Sequence, residues 1–227
     1  MVASSMLKEL KGALEALPEI ASIGDIEADN GIIRRVSIEA RALGWLTVER
    51  LDADVAAALF DFYTEGLSET ARRLFAPYPL FDTPPQSADE LARRIEDWKR
   101  EDDWTAINLV KDERIIGFAL LKRFRTEHVT SGIAIRNAFH RMGLGSLLQH
   151  IIIGQARLLN LTRFHIKVIS DNMASIRLHE KCGFKRTRTL PSTMYGEMFH
   201  YLSKSDHKSG NEPVDRQLVE MVMELEQ

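Results

Sequence analysis

The segment from Ile133 to Ser146 constrains the fold of this chain more than any other part of its sequence. It reads I-A-I-R-N-A-F-H-R-M-G-L-G-S, in which a short apolar strand leads through a loop into a helix extending to about Leu159. Gly143 and Gly145 lack a β carbon, so a ligand can approach the backbone closely. The first N–H groups of a helix have no internal partner and carry the positive end of its dipole. The segment therefore predicts a site for phosphate or diphosphate.

The glycine spacing excludes two familiar phosphate sites. A P-loop needs G-x-x-x-x-G-K-[ST], and the sequence contains no such run. A dinucleotide fingerprint would need a third glycine at position 148, which is Leu148. Two glycines also occur in a simple tight turn between a strand and a helix, and on this segment alone that alternative stays open.

The order of apolar patterns along the chain predicts a mixed α/β protein. Thr105 to Val110 and Ile115 to Leu121 read as strands joined by the turn sequence K-D-E-R. The complete predicted order is a strand, helices, three strands, a helix, a strand, a helix and two strands. Such an order places helices against a central sheet.

A second motif lies about 30 residues after the glycine loop. Residues 172–184 read N-M-A-S-I-R-L-H-E-K-C-G-F. With the loop, this segment resembles the GNAT (general control-related N-acetyltransferase) superfamily, whose motifs are [Q/R]-x-x-G-x-[G/A] and N-x-x-A-x-x-L-Y-x-K-x-G-F. Gly143 and Gly145 match the small residues of the first motif. Asn137, where proline is common, and His140, where glutamine or arginine is usual, depart from the family pattern.

The resemblance implies a mixed, mostly antiparallel central sheet with helices on both faces, and acetyl-CoA as the acyl donor. It implies that loop amides bind the coenzyme A diphosphate, that the preceding strand pairs with the pantetheine, and that the asparagine of the second motif hydrogen-bonds the coenzyme. The predicted coenzyme-binding residues are Ile133, Ala134, Ile135, Arg141, Met142, Gly143, Leu144, Gly145, Ser146 and Asn172. An alternative role for Asn172 is to cap its helix, and both roles are compatible.

The chemistry implied by the resemblance needs an acid and a base. His179 stands where the family has a tyrosine that protonates the leaving sulfur, and a histidine, whose ordinary pKa is about 6.5, can do so; its alternative role is packing near the ligand. Glu127, with His128 beside it, is the candidate base, and a solvated strand end is its alternative role. Cys182 lies one helical turn from His179, but core packing is the favoured interpretation over a nucleophile pair.

The flanking segments are predicted to lie outside the acyltransferase domain, which is placed at residues 35–205. Residues 1–34 are expected to form a helical arm, since leucines share one helical face before Pro18. Residues 206–227 are expected to form a tail with a short helix, in which Val214, Leu218, Met221, Val222 and Leu225 recur at helical spacing. These helices could pack on the domain or form a homodimer.

Composition excludes several classes of partner. The formal net charge of −3 gives no broad positive field for nucleic acid, and no apolar run approaches a membrane span. A single cysteine fits a reducing compartment, so a cytoplasmic protein is expected. Seven histidines show no spacing typical of a metal site, and no metal is predicted.

The function favoured by the sequence is an N-acetyltransferase that moves an acetyl group from acetyl-CoA to an amine of a small molecule or protein, by direct attack in a ternary complex. A non-catalytic module that binds acyl-CoA and regulates a partner is the main alternative. An unrelated α/β protein with a phosphate-binding turn is disfavoured by the second motif.

Overall fold

The computed structural model describes residues 2–74, 85–101, 103–126, 129–191 and 217–225. The strands are β1 (Ile20–Asp29), β2 (Ile32–Ala40), β3 (Gly44–Arg50), β4 (Trp104–Lys111), β5 (Arg114–Lys122), β6 (Thr130–Ile135), β7 (Arg163–Ile169), β8 (Lys185–Pro191) and β9 (Gln217–Glu224). The helices are α1 (Val2–Glu15), α2 (Ala56–Asp61), α3 (Glu69–Leu74), α4 (Ala88–Arg100), α5 (Leu144–Leu158) and α6 (Met173–Lys181). No helix in these ranges combines the length and apolar character needed to cross a membrane.

The larger sheet is an antiparallel meander of six strands in the order β1-β2-β3-β4-β5-β6. Tight turns join its hairpins: Asn30 and Gly31 between β1 and β2, and Asp112 and Glu113 between β4 and β5, all have positive φ. Such turns match the twist of paired strands. The predicted mixed, mostly antiparallel sheet with packed helices is confirmed.

Helices cover both faces of this sheet. One core cluster contains buried side chains of α1 and α5, and a second contains those of α2 and α4. Strand β5 is buried on both sides, with Ala119 in the first cluster and Phe118 in the second. Ser87 caps helix α4, and its hydroxyl accepts the Glu90 N–H at 3.2 Å.

The smaller sheet contains three strands in the order β7-β9-β8. Its strand β7 lies beside β6, the last strand of the larger sheet. Within the described residues, one backbone hydrogen bond links the pair, from His165 N–H to the Val129 carbonyl at 3.2 Å. The two sheets therefore meet at the start of β6, and no described residue pairs with most of its outer edge.

The helix predicted for the C-terminal tail is wrong, because this segment is strand β9, paired on both sides in the smaller sheet. Buried residues alternate along it at the spacing of a strand: Val219, Met221, Met223 and Leu225. The helical spacing noted in the sequence included Val222, which is only partly buried. The two strands that the sequence predicts last are near 184–189 and 196–203: the first corresponds to β8, and the second lies outside the described residues.

The expected N-terminal arm also differs from the structure. The helix predicted there is present as α1, but Leu10, Leu14 and Ile20 belong to the main core. Residues 20–40 add two strands to the edge of the larger sheet. The strand β1 was not predicted from the sequence because it carries bulges against β2, and these interrupt its alternation of buried and exposed residues.

Candidate active site

The loop between β6 and α5 presents a group of unpartnered backbone donors. Arg141 has φ of 63° and Gly143 has φ of 76°, so the chain turns sharply before Leu144 starts the helix. None of the N–H groups from Arg141 to Ser146 donates a hydrogen bond to a described residue. Converging amides at a helix N-terminus favour an anion, which agrees with the site predicted from the glycines.

Two side chains that sequence reasoning did not assign hold this loop. The Nε2 atom of His140 lies 2.9 Å from the Ile135 carbonyl, so the imidazole ties the loop back to the end of β6. The guanidinium of Arg136 donates to the Asp61 carboxylate at 2.6 Å and to the Ile115 carbonyl at 3.0 Å. Arg136 therefore fastens the loop to both α2 and β5. The arginine's role has no sequence signal, because its carboxylate partner is 75 positions away.

Among the described residues, the outer edge of β6 has free backbone groups beside the loop, apart from the Ile135 carbonyl that His140 contacts. The Arg136 N–H donates to the Ile116 carbonyl of β5 at 2.8 Å. Because successive residues of a strand direct their N–H and C=O groups to opposite edges, Ala134 also faces β5. Ile133 and Ile135 therefore face the other edge, toward β7. An extended ligand could add there as a further strand.

Helix α6 lies against the first turn of α5. The Leu178 side chain is 3.3 Å from the position that a β carbon on Gly145 would occupy. At the start of α6, the Asn172 side chain accepts the Ser175 N–H at 3.2 Å. The structure thus brings the two sequence motifs together, and the capping role considered for Asn172 is present.

Gln149 is a further residue that the sequence analysis missed. It is one turn along α5 from Gly145, on the same face of the helix. Its side chain is fully buried, and neither amide atom has a hydrogen-bond partner among the described residues. A buried amide without partners among the described residues is costly, and the burial of this side chain closes it to a bound ligand.

His179 is buried on α6 in its neutral form. Its Nδ1 atom lies 2.7 Å from the Ser175 carbonyl, which can only accept, so Nδ1 carries the proton and Nε2 keeps a lone pair. The ring packs edge-on against Phe184, with centroids 5.2 Å apart. Burial lowers the pKa of His179 to about 4, against the opposing effect of the Ser175 hydrogen bond. At neutral pH this imidazole can therefore accept a proton but holds none at Nε2 to donate.

This environment predicts a stability that depends on pH through His179. The pKa falls from 6.5 to about 4 on folding, so the unfolded chain takes up a proton in an interval where the folded chain does not. Above pH 6.5 the free energy of unfolding does not change with pH because of this group. As pH falls from 6.5 toward 4, the free energy of unfolding decreases by about 3 kcal/mol because of His179. Urea unfolding of the wild type and of His179→Phe between about pH 4.5 and 7 measures it. Parallel pH dependences in the two proteins would contradict the assignment.

The other reactive residues considered in the sequence contribute less. Burial raises the pKa of the Cys182 thiol, against the opposing effects of the Ser146 hydroxyl and the Lys181 charge. A protonated thiol packed at the edge of the core is a poor nucleophile, which agrees with the packing interpretation. The candidate base Glu127 and its neighbour His128 lie outside the described residues.

The sequence was compared with protein families and with curated proteins. The family of acetyltransferases called GNAT has a sequence profile that matches residues 68–184. A search of curated proteins finds no matching sequence.

Solved structures share the fold at low sequence identity. An N-acetyltransferase from Staphylococcus aureus Mu50 is 19% identical with a TM-score of 0.60, over 80% of this chain and 99% of that chain. Spermidine N-acetyltransferase from Vibrio cholerae, in complex with CoA and spermine, is 15% identical with a TM-score of 0.60, over 79% and 95% of the two chains. A Salmonella typhimurium protein solved with acetyl-CoA is 19% identical with a TM-score of 0.58, over 80% and 95%. Since the family match spans 117 of 227 residues and the fold agrees, this chain belongs to the GNAT family of acetyltransferases.

Proposed function

We propose that this protein transfers an acetyl group from acetyl-CoA to an amine by direct attack in a ternary complex. The observation that carries the proposal is the set of unpartnered N–H groups from Arg141 to Ser146, which lies beside the free edge of β6. A diphosphate on these amides and an extended pantetheine on that edge are the two ends of one ligand.

The coenzyme would be held mainly by backbone. The amides of Arg141, Met142, Gly143, Leu144, Gly145 and Ser146 would bind the diphosphate, helped by the dipole of α5. Ile133, and Ile135 through its N–H, would pair with the pantetheine amides, while Ala134 faces β5 and supplies the surface between them. The side-chain NH2 of Asn172 has no partner among the described residues and would donate to the coenzyme.

The thioester supplies an acetyl group that is already activated, so the protein mainly positions the amine and moves protons. The amine nitrogen forms a bond to the thioester carbonyl carbon and loses a proton, while the carbon–sulfur bond breaks. His179 Nε2, unprotonated at rest, accepts this proton and returns it to the leaving sulfur. The acid role predicted for His179 is retained, but its proton would arrive during the reaction.

The low pKa of His179 suits this sequence of steps. An imidazolium that forms in an environment favouring the neutral ring gives up its proton readily. A thiolate, with an ordinary thiol pKa of about 8.5, is a much stronger acceptor. Glu127 stays the predicted base that deprotonates the incoming ammonium, and His179 is needed only for the later transfer.

The acceptor is an amine whose identity the fold leaves open, because the same scaffold serves many acceptors. The structure of the Vibrio cholerae enzyme contains spermine. Spermine and spermidine therefore belong in a first panel of acceptors, together with an amino sugar and a peptide with a free amine.

The proposal is tested by binding and turnover together. Isothermal titration should detect CoA and acetyl-CoA binding, and an assay for free thiol should detect CoA release from acetyl-CoA when one amine of the panel is present. Absence of binding by folded protein would contradict the coenzyme site. Binding of both coenzymes without thiol release for any amine would favour the non-catalytic acyl-CoA-binding module instead.

A further inference from the structure

Glu19 lies in the turn between α1 and β1, and this turn reaches the coenzyme loop. Helix α1 runs along α5 in the opposite direction: Leu10 packs against Gly154 near the end of α5, and Glu19 packs against Gly143 at its start. A β carbon on Gly154 would lie 2.6 Å from Leu10 Cδ1, so the two helices are in close contact. The N-terminal segment therefore packs along α5 between Gly154 and Gly143.

The Glu19 side chain occupies the space beside Gly143 that a larger residue would fill. A β carbon on Gly143 would lie 2.6 Å from Glu19 Oε1, and Cγ and Cδ would be closer still. The other carboxylate oxygen, Oε2, is buried and accepts no hydrogen bond from the described residues. The Glu19 carboxylate therefore lies against the loop whose amides are free. No cation or hydrogen-bond donor among the described residues pairs with it.

The backbone at Glu19 is anchored independently of its side chain. The Glu19 carbonyl accepts the Arg41 N–H at 2.9 Å, and the Pro18 carbonyl accepts Arg41 Nε at 3.1 Å. Leu17 and Ile20, on either side, are buried in the main core. Because the main chain is held there, the carboxylate can leave the loop only by rotation of its own side chain.

We propose that Glu19 is a resident anion that opposes the diphosphate of the coenzyme and so lowers the affinity of this site for CoA. The positive end of α5 stabilises the carboxylate in the free protein. A bound diphosphate uses the same positive field and must either displace the carboxylate or remain beside a like charge, and both cost binding free energy. The inference rests on the proposed coenzyme site. It adds that the N-terminal segment, through Glu19, helps to determine the affinity of that site for CoA.

The Glu19→Gln variant tests this proposal, because it removes the charge and keeps the size of the side chain. Isothermal titration in the full-length protein should give a Kd for CoA about tenfold lower than in the wild type. Pantetheine, which has no diphosphate, should bind equally to both proteins. Glu15→Gln, an exposed glutamate at the end of α1, is the matched control and should leave both affinities unchanged.

The outcomes separate this inference from the proposed function. An unchanged or weaker affinity of Glu19→Gln for CoA, with binding by the wild type, would overturn the role of Glu19 and leave the coenzyme site intact. An equal gain for pantetheine would also overturn it, since the effect would then not act on the diphosphate. Failure of both folded proteins to bind CoA would remove the coenzyme site and this inference together.

Discussion

Replacement of His179 by phenylalanine is expected to lower kcat about 100-fold or more, with the Kd for CoA changed by no more than about twofold. Proton transfer by a positioned side chain contributes about 100-fold to 10,000-fold to enzymatic rates. Phenylalanine retains an aromatic ring for the edge-on contact with Phe184 but has no Nε2 atom to receive a proton. The rate should fall because the proton can no longer reach the leaving sulfur through this side chain, while the diphosphate amides remain in place.

The measurement is steady-state turnover of the best acceptor with binding measured in parallel. Glu180→Gln is a suitable control, because Glu180 is the next residue on α6, is exposed and pairs with Arg186. Its turnover should stay near that of the wild type. If His179→Phe keeps full turnover and an unchanged pH–rate profile, His179 has only a packing role. A large rise in Kd for CoA would instead indicate a role in binding.

The parts of the site that were predictable from sequence depend on local backbone geometry. Gly143 and Gly145, read with the strand before them and the helix after them, were enough to predict free amides at a helix start. The second motif placed Asn172 at a helix N-cap for the same reason, since a cap is formed by residues three positions apart. Such features follow from short segments and need no knowledge of the remaining chain.

The parts that were missed depend on contacts between distant segments. Arg136 and Asp61 are 75 residues apart, and no local pattern predicts that they pair. Strand β9 was mistaken for a helix because its register is set by β7 and β8, which lie well before it in the sequence. Glu19 was placed in a separate arm for a similar reason: its contact with Gly143 exists only because α1 packs along α5.

Substitution of Gly143 by alanine is expected to raise the Kd for CoA about 100-fold, whereas alanine at Gly145 should change it about threefold or less. Gly143 has φ of 76°, a conformation that costs a residue with a β carbon about 1–2 kcal/mol. Gly145 lies within α5, and a β carbon there would meet only Leu178 at 3.3 Å. Strain at Gly143 and the contact of the new methyl group with the Glu19 side chain, each worth about tenfold in Kd, account for the difference. Isothermal titration of both variants, with thermal unfolding to confirm folding, provides the test; equal effects would contradict it.

The Gly143→Ala variant also provides a second and independent measurement of the contact with Glu19. In the wild-type background the new methyl group contacts the Glu19 side chain, and the alanine also strains the backbone at position 143. In the Glu19→Ala background the steric contact is gone and the strain remains, so Gly143→Ala should raise the Kd for CoA only about tenfold. The two substitutions should therefore be coupled by about 1.4 kcal/mol in a double-mutant cycle. Independent effects would mean that the glutamate does not rest on the loop in solution, and the free amides alone would then determine how tightly the coenzyme is held.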